Sequence, residues 1–116
     1  MTALDLLAAA GAALAYLWAT WAMYVLVMGL YRAHLAGRLS RVSYALGYPL
    51  VALGWLMDVA ANLTVASAIF LEPPRELLVT SRLKRHMRGR PDWRQRIARW
   101  ICDRLLDVFD PSGDHC

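Results

Sequence analysis

Two polar side chains, Asp58 and Asn62, lie one helical turn apart in the apolar segment 48–77, YPLVALGWLMDVAANLTVASAIFLEPPREL. A charged residue at the centre of a bilayer costs about 2.5–3.5 kcal/mol, so such residues usually face a protein partner or water. The pair therefore predicts a polar centre at an interface between helices or subunits. Two alternatives stay open: an ion or proton path, or a protonated Asp58 that hydrogen-bonds to Asn62 or to Tyr16.

The last 45 residues carry most of the positive charge, with ten of the thirteen Lys and Arg residues in segment 72–116. Basic residues near an anionic leaflet contribute about 1 kcal/mol each, and Trp residues on the other helix face insert into the interface. We expect a surface here that binds the membrane or a protein partner, formed by Arg82, Lys84, Arg85, Arg88, Trp93, Arg96 and Trp100. Nucleic-acid binding through RLKRHMRGR (82–90) is less favoured, because a basic cluster is too general to specify it.

Metal and catalytic chemistry have little support in the sequence. The possible metal ligands at the C-terminus, Cys102, Asp114, His115 and Cys116, contain no Cys-x-x-Cys pair. Ser81 and His86 share one predicted helix and lack a third residue to complete a nucleophile–base–orienter set. The sequence therefore predicts a non-enzymatic protein without a cofactor. Two cysteines are also too few for a disulfide framework.

Two long apolar segments must position these residues. Segment 6–31 has 26 residues without Asp, Glu, Lys, Arg or His, and segment 42–71 has 30 residues whose only charge is Asp58. About 20 apolar residues suffice to span a bilayer as a helix. We predict an all-α membrane protein: a two-helix transmembrane hairpin in residues 1–71, with spans at 6–31 and 49–71, followed by two amphipathic, basic C-terminal helices in residues 72–116.

Small residues recur with near-heptad spacing in both spans. In the first span they are Ala8, Ala12, Ala15, Ala19, Ala22 and Gly29, and in the second they are Gly47, Gly54, Ala61 and Ala68, with Asp58 on the same face. Small side chains allow close approach of helices in lipid. The pattern predicts antiparallel packing of the two spans, in which Ala15, Ala19 and Gly54 lie at the contact.

Proline residues suggest where helices begin, because a proline at the first helical position loses no hydrogen bond. We place the start of the second span at Pro49. A third helix is expected over 75–88 after Pro73 and Pro74, and a fourth from about Pro91 to Phe109.

The distribution of basic residues predicts the topology. Segment 72–90 contains six Lys and Arg residues, the connection between the spans contains three, and the N-terminus contains none. Cytoplasmic flanks are enriched in these residues. We expect both termini in the cytoplasm of a bacterial host and the hairpin in its inner membrane. In the alternative, segment 42–71 is re-entrant, and the loop and the tail lie on the same side.

The C-terminal half, with EPPRELLVT (72–80), WICDRLLD (100–107) and FDPSGDHC (109–116), resembles small membrane proteins encoded by bacteriophages and prophages of Gram-negative bacteria. The resemblance covers about residues 65–116. It implies a phage context and no catalytic residues, since that group has no established activity.

Two functions are compatible with these features. In the first, the protein is a membrane-anchored interaction or envelope-modifying protein that uses its basic tail. Its partners would be an anionic leaflet, a cytoplasmic protein or further copies of itself. In the alternative, it is a holin-like oligomer that permeabilises the membrane, because holins share the small size, the two spans and the charged C-terminal tail.

Overall fold

The computed structural model describes all residues from Met1 to Cys116 and contains helices but no strands. Helix α1 (Ala3–Leu35) has 33 residues and begins with a capping box, in which Thr2 and Asp5 bind each other's backbone N–H groups. Its length matches the longest dimension of the molecule, 50 Å. The predicted all-helical fold with two long apolar helices is confirmed.

Helix α2 (Arg41–Leu63) begins earlier than predicted. The Ser40 hydroxyl accepts a hydrogen bond from the Ser43 N–H at 3.2 Å and caps the helix there. Pro49 lies inside the helix, so the predicted helix start at Pro49 is wrong. The cap decides the start, and Pro49 lies further along the helix, where it has no N–H to bind the Ala45 carbonyl.

The second apolar segment is not one continuous helix. Helix α2 ends at Leu63, Thr64 has φ −112° and ψ −85°, and a short helix α3 (Val65–Phe70) follows. Leu71 then adopts the left-handed conformation with φ +50°. The chain reverses direction here, which allows the C-terminal residues to fold back over the hairpin formed by α1 and α2.

The C-terminal helices are shorter than predicted. Helix α4 (Val79–Met87) and helix α5 (Trp93–Ile101) are followed by a π-helical turn at Cys102–Leu106. The expected helix start after Pro73 and Pro74 is wrong, because residues 72–78 are not helical. The Asp92 side chain caps α5 by accepting hydrogen bonds from the N–H groups of Arg94 and Gln95.

The hairpin packs through large side chains of α1 against glycines of α2. An ideal Cβ atom at Gly54 would lie 2.9 Å from Met23 Cγ and 3.3 Å from Val27 Cγ2. The Tyr16 hydroxyl donates to the Met57 carbonyl at 2.7 Å. Gly54 therefore lies at the contact as predicted.

Most of the predicted small-residue seam of α1 is exposed. Ala8, Ala12 and Ala15 are exposed, and Ala19 is half-buried. Since the contact with α2 is filled by Tyr16, Met23 and Val27, the small residues of α1 leave most of their face open.

A valine at Gly54 should weaken the hairpin, because its side chain overlaps Met23 and Val27. Overpacking of this kind costs about 1–3 kcal/mol. We expect Gly54→Val to lower the thermal unfolding midpoint of the detergent-solubilised protein. Gly29→Val is the matched control, since no atom lies within 4 Å of its Cβ position. Equal effects of the two substitutions would contradict the close approach at Gly54.

Residues 65–116, which we call the C-terminal layer, have a small core of their own, formed by Phe70, Leu83, Ala98 and Cys102. A disulfide joins Cys102 to Cys116, with their Cα atoms 5.9 Å apart. The expectation from the cysteine count was therefore incomplete: two cysteines build no framework, but they close one loop that fastens Cys116 to the π-helical turn directly after α5.

The C-terminal layer lies along α1 and is attached at three points. The Trp21 indole donates to the Leu105 carbonyl at 3.0 Å, and the Tyr24 hydroxyl donates to the Leu106 carbonyl. Nearer the loop, the Arg32 guanidinium donates to the Phe109 carbonyl at 3.0 Å. The layer therefore extends beside the hairpin toward the loop and is not a detached tail.

Candidate functional site

Asp58 joins the hairpin to the C-terminal layer. Its Oδ2 accepts a hydrogen bond from the Val79 N–H at 3.2 Å. Val79 is the first residue of α4, whose N-terminal N–H groups have no partner within the helix. Asp58 thus caps a helix 21 residues away in the chain, and the prediction that it marks an interface between helices agrees with this position.

Asn62 is completely buried and has a related role. The side-chain amide of Asn62 donates to the backbone carbonyl of Glu76. The backbone carbonyl of Asn62 accepts a hydrogen bond from Arg82 Nη2 at 3.1 Å. Asn62 and Asp58 form no hydrogen bond with each other, and the hydroxyl of Tyr16 is bound to Met57. Asp58 therefore does not form the predicted hydrogen bonds to Asn62 or Tyr16, and instead accepts one from the backbone of α4.

A largely buried ionic cluster lies next to Asn62. Its members are Glu72, Glu76, Arg82, Arg85 and His86. Glu72 Oε1 lies 2.7 Å from Arg85 Nη2 and 2.7 Å from His86 Nε2, and Arg82 Nη1 is 4.0 Å away. Arg85 also binds Glu76. Burial by itself would raise the pKa of Glu72, but the hydrogen bonds from Arg85 and His86 outweigh it and lower this pKa to about 2.

Several residues predicted to form a basic surface have other positions. Arg82 is fully buried, so its assignment to a membrane or partner surface is wrong. Desolvation forces such a residue to find acceptors inside the protein, and Arg82 uses Asn62 and Ser67. Arg85 is engaged in the ionic cluster, and Lys84 is half-buried.

The other predicted surface residues are exposed. These are Arg88, Trp93, Arg96 and Trp100, and the basic residues Arg90, Arg99 and Arg104 are exposed with them. The Arg94 guanidinium carbon lies 4.7 Å from the centre of the Trp93 ring, close enough for a cation–π contact. The basic surface is therefore formed by α5 and the connection before it, more than by α4.

A cavity of about 490 Å³ separates the C-terminal layer from the hairpin. Its walls are mostly apolar, with Leu17, Val51, Trp100 and Leu105 among them. The few polar side chains that line it include Tyr24, Asp58, Thr80 and His115. A concave apolar site with a few convergent polar groups is the usual form of a small-molecule site.

Thr80 and His115 mark the polar end of this cavity and form a chain of three side chains with Asp110. Thr80 Oγ1 lies 3.1 Å from His115 Nε2, and His115 Nδ1 lies 2.9 Å from Asp110 Oδ2. The sequence suggested Ser81 and His86 as the residues to weigh, and it did not point to this set. The only local signal was the Asp110 and His115 spacing in FDPSGDHC, because Thr80 is 35 residues from His115.

The candidate metal ligands are not arranged as a metal site. Both sulfur atoms, of Cys102 and Cys116, are used in the disulfide, and no group of three or more His, Cys, Asp or Glu side chains is placed to hold an ion.

No protein-family model matches the chain, and neither a curated protein nor a solved structure shows significant similarity to it. The resemblance to phage and prophage membrane proteins stays a prediction.

Proposed function

We propose that the protein is a membrane-anchored interaction protein, in which the hairpin enters the bilayer and the C-terminal layer presents a basic surface. The surface of α1 carries this proposal. None of its 33 residues is buried, although the C-terminal layer covers one side of it. Leu14 is 67% exposed, Trp18 is 68% exposed and Leu26 is 57% exposed. Such a surface needs lipid or another apolar partner.

The partner surface that we propose consists of the exposed Arg88, Arg90, Arg96 and Arg99, together with Trp93 and Trp100. Arg and Trp in this combination suit an anionic leaflet, because the guanidinium groups bind phosphate oxygens and the rings insert at the headgroup level. An acidic protein surface would satisfy the same groups. Phage or prophage origin agrees with this role and is part of the proposal.

The attachment of the layer bears on topology. Since Arg32 near the loop binds Phe109, we propose that the loop and the C-terminal layer lie on the same side of the membrane, as in the re-entrant alternative. A disulfide forms and persists in oxidising compartments. We therefore propose the periplasmic side of an inner membrane, although the count of basic residues predicts the cytoplasmic side.

The experiment is cysteine labelling with a membrane-impermeant maleimide in intact and lysed cells. Ala36→Cys reports on the loop and Val108→Cys on the layer, and both positions are exposed. Both cysteines should label in intact cells, while the native disulfide stays unreactive until a reductant is added. Labelling on opposite sides would contradict the same-side arrangement. Labelling of both only after lysis would contradict the periplasmic location and support the cytoplasmic one.

The holin-like alternative is favoured by one observation, the exposed small residues Ala8, Ala12 and Ala15 of α1. Such a face permits close association of helices in lipid. Removal of residues 72–116 discriminates between the two functions. A pore former should still release a dye from vesicles after this deletion, whereas an anchor should lose its partner.

A further inference from the structure

The chain Asp110–His115–Thr80 has the order carboxylate, imidazole, hydroxyl that activates a nucleophile in acyl transfer. An ionised carboxylate only accepts, so Nδ1 of His115 carries the proton and Nε2 is free to accept the Thr80 hydroxyl. We propose that this set is a catalytic site for hydrolysis of long-chain acyl esters, with Thr80 as the nucleophile, His115 as the base and Asp110 as the group that orients the imidazole.

The segment that carries His115 is held by several independent contacts. Asp107 Oδ1 accepts hydrogen bonds from the backbone N–H groups of His115, at 2.8 Å, and of Cys116, at 3.3 Å. The next residue, Cys116, is tied by the disulfide to Cys102 in the π-helical turn after α5. The Tyr24 ring packs edge-on against the imidazole, with centroids 4.8 Å apart. His115 therefore has a defined position although it is the penultimate residue.

Charges around the imidazole favour the proton transfer that the step requires. The hydrogen bond from Ser112, followed by that from His115, lowers the pKa of Asp110, so this carboxyl is ionised at neutral pH. Asp110 accepts a hydrogen bond from His115 Nδ1 and stabilises the imidazolium that forms when His115 takes the proton.

The position of Thr80 supplies donors for the developing oxyanion. Thr80 lies in the first turn of α4, where the Val79 N–H is bound to Asp58. The N–H groups of Thr80 and Ser81 have no acceptor within the chain. Free N–H groups at a helix N-terminus stabilise negative charge, as an oxyanion hole does.

The cavity selects the substrate class. It has a volume of about 490 Å³, and most of the residues around it are apolar. Thr80 and His115 are part of its wall, as are Leu17 and Val51 of the hairpin. A long acyl chain fills such a space and places its carbonyl at the polar end. A short or charged acyl group would leave the apolar walls without a partner.

The reaction has two balanced steps. In the first, Thr80 Oγ1 attacks the ester carbonyl, its proton passes to His115 Nε2, and the alcohol leaves with that proton, so the acyl group is esterified to Thr80. In the second, His115 takes a proton from water, the resulting hydroxide attacks the acyl carbonyl, and Thr80 Oγ1 leaves with the proton that His115 returns, so the fatty acid is released and both side chains are restored. Water is the only co-reactant.

The test uses the full-length protein in phospholipid nanodiscs with p-nitrophenyl hexadecanoate as the probe. We expect nitrophenolate release and an acyl adduct that peptide mass spectrometry assigns to Thr80. His115→Gln should slow release by about 100-fold, since general base catalysis contributes about 10²–10⁴-fold. The p-nitrophenyl acetate ester should react more slowly than the long-chain ester.

Three substitutions separate this site from nonspecific hydrolysis. Thr80→Val keeps the shape and removes the hydroxyl, so adduct and release should both disappear. Thr80→Ser restores a hydroxyl and should restore the adduct at the same position. Tyr48→Phe removes an exposed hydroxyl of α2 that does not line the cavity and should change nothing. The proposal is overturned if the folded wild type forms no adduct, or if Thr80→Val releases nitrophenolate as fast as the wild type.

Discussion

Replacing Glu72 with Gln should destabilise the C-terminal layer by about 3 kcal/mol, because breaking a buried ion pair leaves the partner charges uncompensated. The Glu72 side chain is 10% exposed and contacts Arg85 and His86 at 2.7 Å each. Arg82 is fully buried beside them and would lose its nearest carboxylate. Hydrogen exchange of the amides in α4 and α5 measures the effect as faster exchange of both helices together.

The same contact predicts a dependence on pH. The pKa of Glu72 is about 2 in the folded protein, against an ordinary value of 4.5, so the folded state binds this proton more weakly than the unfolded state does. The stabilisation is therefore complete above about pH 5 and disappears as the pH falls toward 2. The difference between wild type and Glu72→Gln should shrink over this interval.

Asp103→Asn is the matched control for Glu72→Gln. It removes the same charge from an exposed side chain that forms no ion pair with a basic group of the chain. Surface charges of this kind contribute about 0–1 kcal/mol. If the control accelerates exchange as much as Glu72→Gln does, net charge rather than the buried cluster stabilises the layer.

Loss of the disulfide should have an effect of similar size. The bond between Cys102 and Cys116 closes a loop with a sequence separation of 14. A loop of about 15 residues contributes about 3 kcal/mol by restricting the unfolded chain. Cys116→Ala should therefore lower the free energy of unfolding of the C-terminal layer by about this amount, measured by denaturant titration in detergent.

Reduction of the wild type gives the control for Cys116→Ala. A reductant should lower wild-type stability to that of the variant, and it should leave the variant unchanged, because no disulfide remains to be broken. A stability difference that persists under reducing conditions would mean that the Cys116 side chain acts through packing instead. Cys116 does pack against the core of the layer, so the two contributions must be separated.

Much of the fold could be predicted from local sequence features. Segment 6–31 has 26 residues without a charged side chain and lies within one long helix. Helices α1 and α2 begin directly after the N-cap residues Thr2 and Ser40. Proline positions misled the prediction of helix starts at Pro49 and Pro73. A proline is compatible with a helix start, but the residue that caps free N–H groups decides where the helix begins.

The candidate site was less predictable, because its members are distant in sequence. The sequence predicted Arg82 as a surface cation. Only the fold shows that it is buried and donates hydrogen bonds to Asn62 and Ser67. Thr80 and His115 carried no recognisable motif, since 35 residues separate them. Local periodicity reports which face of a helix is apolar, but it does not report which residues of another helix meet that face.

The sequence by itself determined that this chain forms two long apolar helices followed by shorter basic ones, because helix formation and the apolar character of a segment depend on residues that are close in sequence. The tertiary structure decided the use of each polar group. Asp58 caps α4, Glu72 neutralises two arginines, and His115 lies between Thr80 and Asp110. These contacts arise only when the chain reverses after Thr64 and Leu71, since that reversal brings the C-terminal layer against the hairpin.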